Sequence, residues 1–291
     1  VDGVRACLAK QRVGKEKVMK ACVIWALALG PYLAGCAASV EGGAMTRRGG
    51  PDAADEPVLT YHAERVRGLG GVTALRARLG ARVYSEVLRL NRVDADHAPR
   101  LDTLIVPDRA HGFRVRSPFP ERIAALDAVP KILLVSVRVQ AFAAYDSGRL
   151  ARSGPISSGG PTAPTASGLY HVNWKLPEHR STIDSTWVMP WCVNIDNEVG
   201  TAIHQYALPG RPASHCCIRL LEDDALWVYE WVETWRVSAD GREVLSPGTP
   251  VNVFGTYDFD APPPWRRLPV DPAADRVGAD EIEDLMAEGA R

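Results

Sequence analysis

The sequence predicts an α+β fold dominated by β structure, and three observations lead there. Its 22 prolines and 25 glycines supply many turns. Long amphipathic helical stretches are scarce, while short runs of alternating or β-branched residues recur between turn signals. Beyond residue 130 a single segment, Glu222–Thr234, reads convincingly as a helix. Leu221, Ala225, Val228 and Val232 share one face, and Glu222, Asp223 and Asp224 suit its N-terminal end.

With 291 residues, 46% of them hydrophobic, the chain can bury a proper core in one large domain or two modest ones. Lysine plus arginine (34) nearly balances aspartate plus glutamate (35), for a formal charge of −1. No broad positive field therefore recommends nucleic acid as a partner. Six cysteines stand at Cys7, Cys22, Cys36, Cys192, Cys216 and Cys217. They form no CxxC pair and no Cys/His spacing that builds a zinc site, so neither a metal nor a cofactor is expected.

The first 57 residues read as an address. Lys15, Lys17 and Lys20 precede an apolar run from Ala21 to Leu29, the layout of an export signal. That run falls short of the roughly 20 apolar residues needed to span a bilayer. It ends in Leu33-Ala34-Gly35-Cys36, which resembles the lipobox of bacterial lipoproteins. The resemblance implies cleavage before Cys36, lipidation of its thiol and a membrane anchor in the periplasm, at the outer membrane. Residues 1–36 are then a leader and lipoprotein signal peptide, in which a start at Val18 or Met19 fits better than residues 1–17, and residues 37–57 are a Gly/Pro/Asp linker.

Residues 58–108 form a small module with helices at Val72–Leu79 and Val83–Asn91 and a strand at Thr103–Val106. Val83–Asn91 followed by Leu101-Asp-Thr-Leu-Ile-Val-Pro107 resembles the second half of a lysin motif, a glycan-binding module of wall proteins. A plain helical spacer is the other reading. Residues 109–130, rich in Pro and Arg, read as a linker. A second domain over 131–255 opens with one strand, Lys131–Phe142, and a hairpin signal at Asp146-Ser147-Gly148. Further strands are expected at Tyr170–Trp174, Val188–Ile195, Ala202–Tyr206 and Pro250–Phe254. The Pro-rich tail, 256–291, reads as loosely held.

The chemistry concentrates in Ala202–Leu220, which holds His204, Ser214, His215, Cys216, Cys217 and Arg219. A thiol becomes a useful nucleophile when an imidazole takes its proton, because the thiolate attacks and a free pKa of about 8.5 leaves little of it at neutral pH. His204 ends a strand, and a loop with Pro209, Gly210 and Pro212 can fold back to bring it beside Cys217. His215, two residues from Cys217, points to the same side in an extended chain.

At this point the sequence resembles the L,D-transpeptidase catalytic domain family. That family's signature is a histidine, a spacer, then Ser/Thr-His-Gly-Cys, a hydrophobic residue and Asn or Arg. Here it reads His204, then Ser214-His215-Cys216-Cys217-Ile218-Arg219. Ser158-Gly159-Gly160 and Met189-Pro190-Trp191 extend the likeness over Lys131–Gly255. It implies a mixed β-sandwich with a capping helix, acting on peptidoglycan stem peptides in wall cross-linking or remodelling. Cys217 is implied as nucleophile and His204 as base. Ser214, His215, Cys216 and backbone amides near Cys217 are implied around the pocket and oxyanion. Arg219 meets a substrate carboxylate or holds a salt bridge. The family glycine before the nucleophile is Cys216 here. A cysteine peptidase hydrolysing the same peptides and an inactive wall-binding lipoprotein are the rival functions. The spare thiols Cys192 and Cys216 are expected to form a disulfide.

Overall fold

The computed structural model describes residues 59–181 and 184–289. The export signal, Cys36 and the 37–57 linker lie outside these described residues. The N-terminal module runs strand, helix, helix, strand: β1 (Tyr61–Arg65), α1 (Gly68–Leu79), α2 (Ala81–Leu90) and β2 (Thr103–Pro107). β1 and β2 pair antiparallel, from Tyr61 opposite Pro107 to Arg65 opposite Thr103. Val72, Leu75, Tyr84, Val87 and Leu88 from the helices meet Leu104 and Val106 from the sheet in a core of the module's own. β1 is hard to read in sequence because its burial follows no alternation.

The remaining strands are β3 (Lys131–Ser136), β4 (Ala141–Asp146), β5 (Arg149–Ser157), β6 (Gly168–His171) and β7 (Lys175–Arg180). They continue with β8 (Val188–Asp196), β9 (Thr201–Gln205), β10 (Ile218–Leu220), β11 (Arg236–Val237), β12 (Val244–Ser246) and β13 (Pro250–Phe254). Nine of these form one mixed sheet in the order β6-β13-β3-β4-β5-β10-β9-β8-β7. The sheet curls until β6 touches β8. The β-rich mixed fold expected from the sequence is what the chain adopts.

Alternation along β3 explains its continuous burial. Leu133 and Val135 enter a core shared with β8, β9, β10 and the helix α3 (Glu222–Trp231). Ile132 and Leu134 enter a second core on the opposite face. Lys131–Phe142 is two strands rather than one, because the chain reverses at Val137–Gln140 with Gln140 at a φ of 50°. The Gln140 amide stabilises that turn by donating to the Val137 carbonyl at 2.7 Å and the Ser158 hydroxyl at 2.8 Å, and it accepts from the Ser158 amide at 2.9 Å. Asp146-Ser147-Gly148 makes the expected hairpin, with Ser147 and Gly148 both in the left-handed region.

The tail corrects the sequence reading. Trp265 is 1% exposed, and Val277 and Ile282 join the second core, the latter from α4 (Ala279–Gly289). Prolines signalled a loose end, but these apolar residues have long-range partners that local composition does not show. The 109–130 linker is likewise packed, through Phe113, Phe119, Ile123 and Leu126.

Arg92, 2% exposed, ties module, sheet and tail together. Its guanidinium pairs with Asp275 at 2.8 Å, donates to the Val139 carbonyl at 3.2 Å and lies 4.9 Å over the Trp265 ring. A second tie joins Arg89 of α2 and Arg152 of β5 to the fully buried carboxylate of Asp224 on α3, at 2.6 and 2.7 Å. Trp265→Ala is therefore expected to lower the unfolding free energy by about 3–5 kcal/mol in urea titrations of the full chain. A loss under about 1 kcal/mol would mean that the tail is loose after all.

Candidate active site

β9 lies between β8 and β10, and its registers assemble the site. β10 runs parallel to it, with Ile218 beside Ile203 and Arg219 beside His204. β8 runs antiparallel, with Val193 opposite Ile203 and Asn194 opposite Ala202. Side chains alternate across a sheet. Val193, Ile195, Ile203, Ile218 and Leu220 therefore enter the core on one face. Asn194, Ala202, His204, Cys217 and Arg219 line a cavity of about 350 Å³ on the other.

The cavity's remaining wall comes from the β7–β8 hairpin and the turn before β9. Trp174, His179, Trp187 and Met189 contribute apolar and aromatic surface, while Asn197, Glu198 and Gly200 form the opposite rim. Ser214 and His215 complete it, the His215 ring lying 5.0 Å from that of Trp187. Among the described residues, buried Nδ1 of His215 has no hydrogen-bond partner. Ser214 is seated by the chain around Gly159, since its amide donates to the Ser158 carbonyl and its carbonyl accepts from the Gly160 amide. A Cβ on Gly159 would collide with the backbone of Ala163, Pro164 and Thr165, which is why this close approach needs glycine.

His204 is 4% exposed, and burial lowers its pKa to about 4, with the charge of Arg219 acting the same way. Its Nδ1 lies 2.9 Å from the Gln205 carbonyl. That oxygen can only accept, so Nδ1 carries the hydrogen and Nε2 the free lone pair. The ring packs edge-on against Tyr206 at 6.0 Å, and Arg219 lies 4.7 Å over the other partner in this stack, again Tyr206. Arg219 has no carboxylate partner among the described residues, so of its two expected roles the salt bridge is not formed. Tyr206 was missed from the sequence, although its position two residues after His204 on an extending chain was a usable signal.

Cys217 is partly exposed and free. Its thiol lies 3.8 Å from the Gly200 carbonyl, with no hydrogen bond to His204. Burial raises its pKa, while a hydrogen bond from the Ala202 backbone and the charge of Arg219 pull it down. Cys192 is fully buried against Met189 and Ala202, in the same cluster as Cys217, and burial pushes its thiol up to about 12.

Two expectations are corrected here. Cys192 is a free thiol, whereas Cys216 is disulfide-bonded, so no Cys192–Cys216 bridge exists. β9 stands between the two segments that were to be bridged. Cys216 also does not line the cavity. Its side chain packs with Ala163 and Val199, and its amide is used by the Ala163 carbonyl at 3.0 Å, leaving none for an oxyanion. A φ of 68° explains why glycine is the easier residue here and why the side chain turns away from its neighbour's. No group of three or more His, Cys, Asp or Glu among the described residues could hold a metal ion.

Residues 130–253 match the YkuD family model, the L,D-transpeptidase catalytic domain. Similar solved structures are L,D-transpeptidases. One from Mycobacterium smegmatis is 20% identical over 43% of this chain and 59% of its own, with a TM-score of 0.35. One from Stackebrandtia nassauensis is 23% identical over 44% of this chain and 57% of its own, with a TM-score of 0.36. The catalytic domain from Enterococcus faecium is 24% identical over 43% of this chain and 96% of its own, with a TM-score of 0.32. This chain thus spans less than two thirds of the first two. No curated protein matches it.

The buried neutral histidine sets a pH dependence. His204 has a folded pKa near 4 against an ordinary 6.5, so below 6.5 the unfolded chain takes up a proton that the folded one refuses. Its share of stability is full above pH 6.5 and is lost as pH falls towards 4, by about 3 kcal/mol. His204→Gln should flatten the fall of Tm between these pH values, leaving the share of His171, whose pKa burial also lowers. An unchanged slope in calorimetric scans would place His204 in a wetter site.

Proposed function

We propose that this protein is an exported L,D-transpeptidase, which acts on peptidoglycan stem peptides through an acyl-enzyme on Cys217. The observation that carries the reading is one cavity, inside the segment matched by the family model, lined by a free thiol, a neutral histidine and an arginine that has no carboxylate partner among the described residues.

His204 Nε2 takes the proton of the Cys217 thiol as the sulfur attacks the carbonyl of the third stem residue. Thiol and imidazole are both neutral at rest, so proton transfer accompanies attack rather than preceding it as a standing ion pair. The tetrahedral oxyanion collapses, and the imidazolium returns its proton to the departing amine of the terminal D-alanine. The amine of a second stem peptide then attacks the thioester, with the same imidazole accepting its proton. Ser214 and His215 line this space and can meet polar groups of the substrate or oxyanion. Arg219, held 4.7 Å over the Tyr206 ring, offers its guanidinium to a substrate carboxylate. The Trp174 and Trp187 rings shield the thioester from water.

In this reading the protein works in the periplasm, held at the outer membrane by a lipid on Cys36, and the 58–108 module binds the wall's glycan.

A carbapenem-type β-lactam, which acylates such thiols, gives a mass-detectable adduct. Peptide mapping should place it on Cys217, with none in Cys217→Ala. Cys216→Gly should keep the reaction, because the sulfur at 216 faces away from the cavity. His204→Ala should slow acylation by the 10²–10⁴-fold typical of a lost general base, with partial recovery at high pH. An adduct on Cys216 would overturn the assignment. Incubation with stem tetrapeptides separates the outcomes: cross-linked dimers support transfer to an amine, and tripeptide alone means hydrolysis.

A further inference from the structure

The segment joining the base to the nucleophile, Tyr206–Ala213, belongs to no strand of the large sheet. Its middle pairs instead with the N-terminal module. The Asp94 amide donates to the Leu208 carbonyl at 2.9 Å, and the Gly210 amide donates to the Arg92 carbonyl at 3.0 Å. Val93 and Pro209 face each other as an antiparallel bridge between these two bonds. One carboxylate oxygen of Asp94 accepts from the Leu208 amide at 2.7 Å, and the other accepts from the His97 amide at 2.8 Å and lies 2.7 Å from its ring. Leu208 is fully buried in this contact.

We infer that the N-terminal module acts as a positioning device for the reaction, and that Asp94 is its positioning residue, fixing the loop that sets His204 against Cys217. The inference rests on the reading of these two as the reacting pair. Both sides of the loop are held. Towards Cys217 the Ser157 hydroxyl donates to the Arg211 carbonyl, and the Ala213 and Ser214 amides donate to the Ser158 carbonyl. Towards His204, between Tyr206 and Pro209, the module supplies the anchor. It can do so because Arg92, at a φ of 54°, is itself locked by Asp275, Val139 and Trp265. Asn91 adds three bonds of 2.8 Å, two to Ile105 and one to Val87. Misplacing a reacting group by about 1 Å can cost 10²-fold in rate, so slack two residues beyond Tyr206 reaches the chemistry directly.

The test compares Asp94→Ala, Asp94→Asn and Arg89→Ala in the full chain. Arg89 also ties the module down, but to α3 rather than to the loop. Tm, the rate of carbapenem acylation, and the pH profile of iodoacetamide alkylation at Cys217 are measured for each. Asp94→Ala should slow acylation about tenfold or more and shift the alkylation profile. Asp94→Asn, which keeps an acceptor for the Leu208 amide, should recover most of the rate. Arg89→Ala should lower Tm and leave both rates near wild type. If Asp94→Ala does not fold, Gly210→Ala strains the same ladder more gently through its φ of 79° and should show the same slowing. Wild-type acylation in the Asp94 or Gly210 variant, or equal slowing in Arg89→Ala, would overturn the inference. Should the wild type form no adduct at all, the proposed function fails, and the alkylation profiles still decide the positioning role.

Discussion

The parallel pairing of β9 with β10 is the constraint on which the rest depends. A strand cannot follow its parallel neighbour through a tight turn, so the chain must leave the sheet after Gln205 and return before Ile218. The spacing between His204 and Cys217 is the length of that crossover. Register then does what sequence distance cannot. Arg219 falls beside His204, and Cys217, just ahead of the strand, falls near Ala202 on the same face. Shifting the register by one residue would send the sulfur into the core and Ile218 into the cavity.

The electrostatics of the site follow from where this face lies. It is buried enough to keep His204 uncharged and to disfavour the Cys217 thiolate, yet it holds one guanidinium. The Arg219 charge lowers the thiol's pKa while suppressing protonation of the imidazole, so it biases the pair towards the form in which the base is ready. Tyr206 stabilises that arrangement by stacking, without neutralising the charge as a carboxylate would.

What the sequence revealed was local, and what it concealed was not. His204 and the Ser214–Arg219 run were legible because residue types and order carry the chemistry. The helix at Glu222 was legible because its apolar positions recur at helical spacing, though it stops at Trp231, where Val232 turns extended. β7 was missed because Lys175–Arg180 is polar on both faces of a sheet edge. The turn at Gln140 was missed because no glycine marks its positive φ. Neither the partner of Arg92 in the tail nor that of Asp94 in the catalytic loop could be read, since each lies more than a hundred residues away.

The burial of Trp265 under Arg92 bears on how this chain can be recombined with others. Residues 130–253 hold the sulfur, the imidazole and the guanidinium, yet two of the supports around them, Asp94 and Trp265, stand outside that span. Moved into a foreign protein, the span would carry its reagents and leave behind its scaffolding. Leu208, Val139 and the underside of the second core would face water in the new host. In this chain the unit that packs is therefore longer than the unit of chemistry, because Asp94 and Trp265 brace the cavity's surroundings from outside the span that holds the reagents.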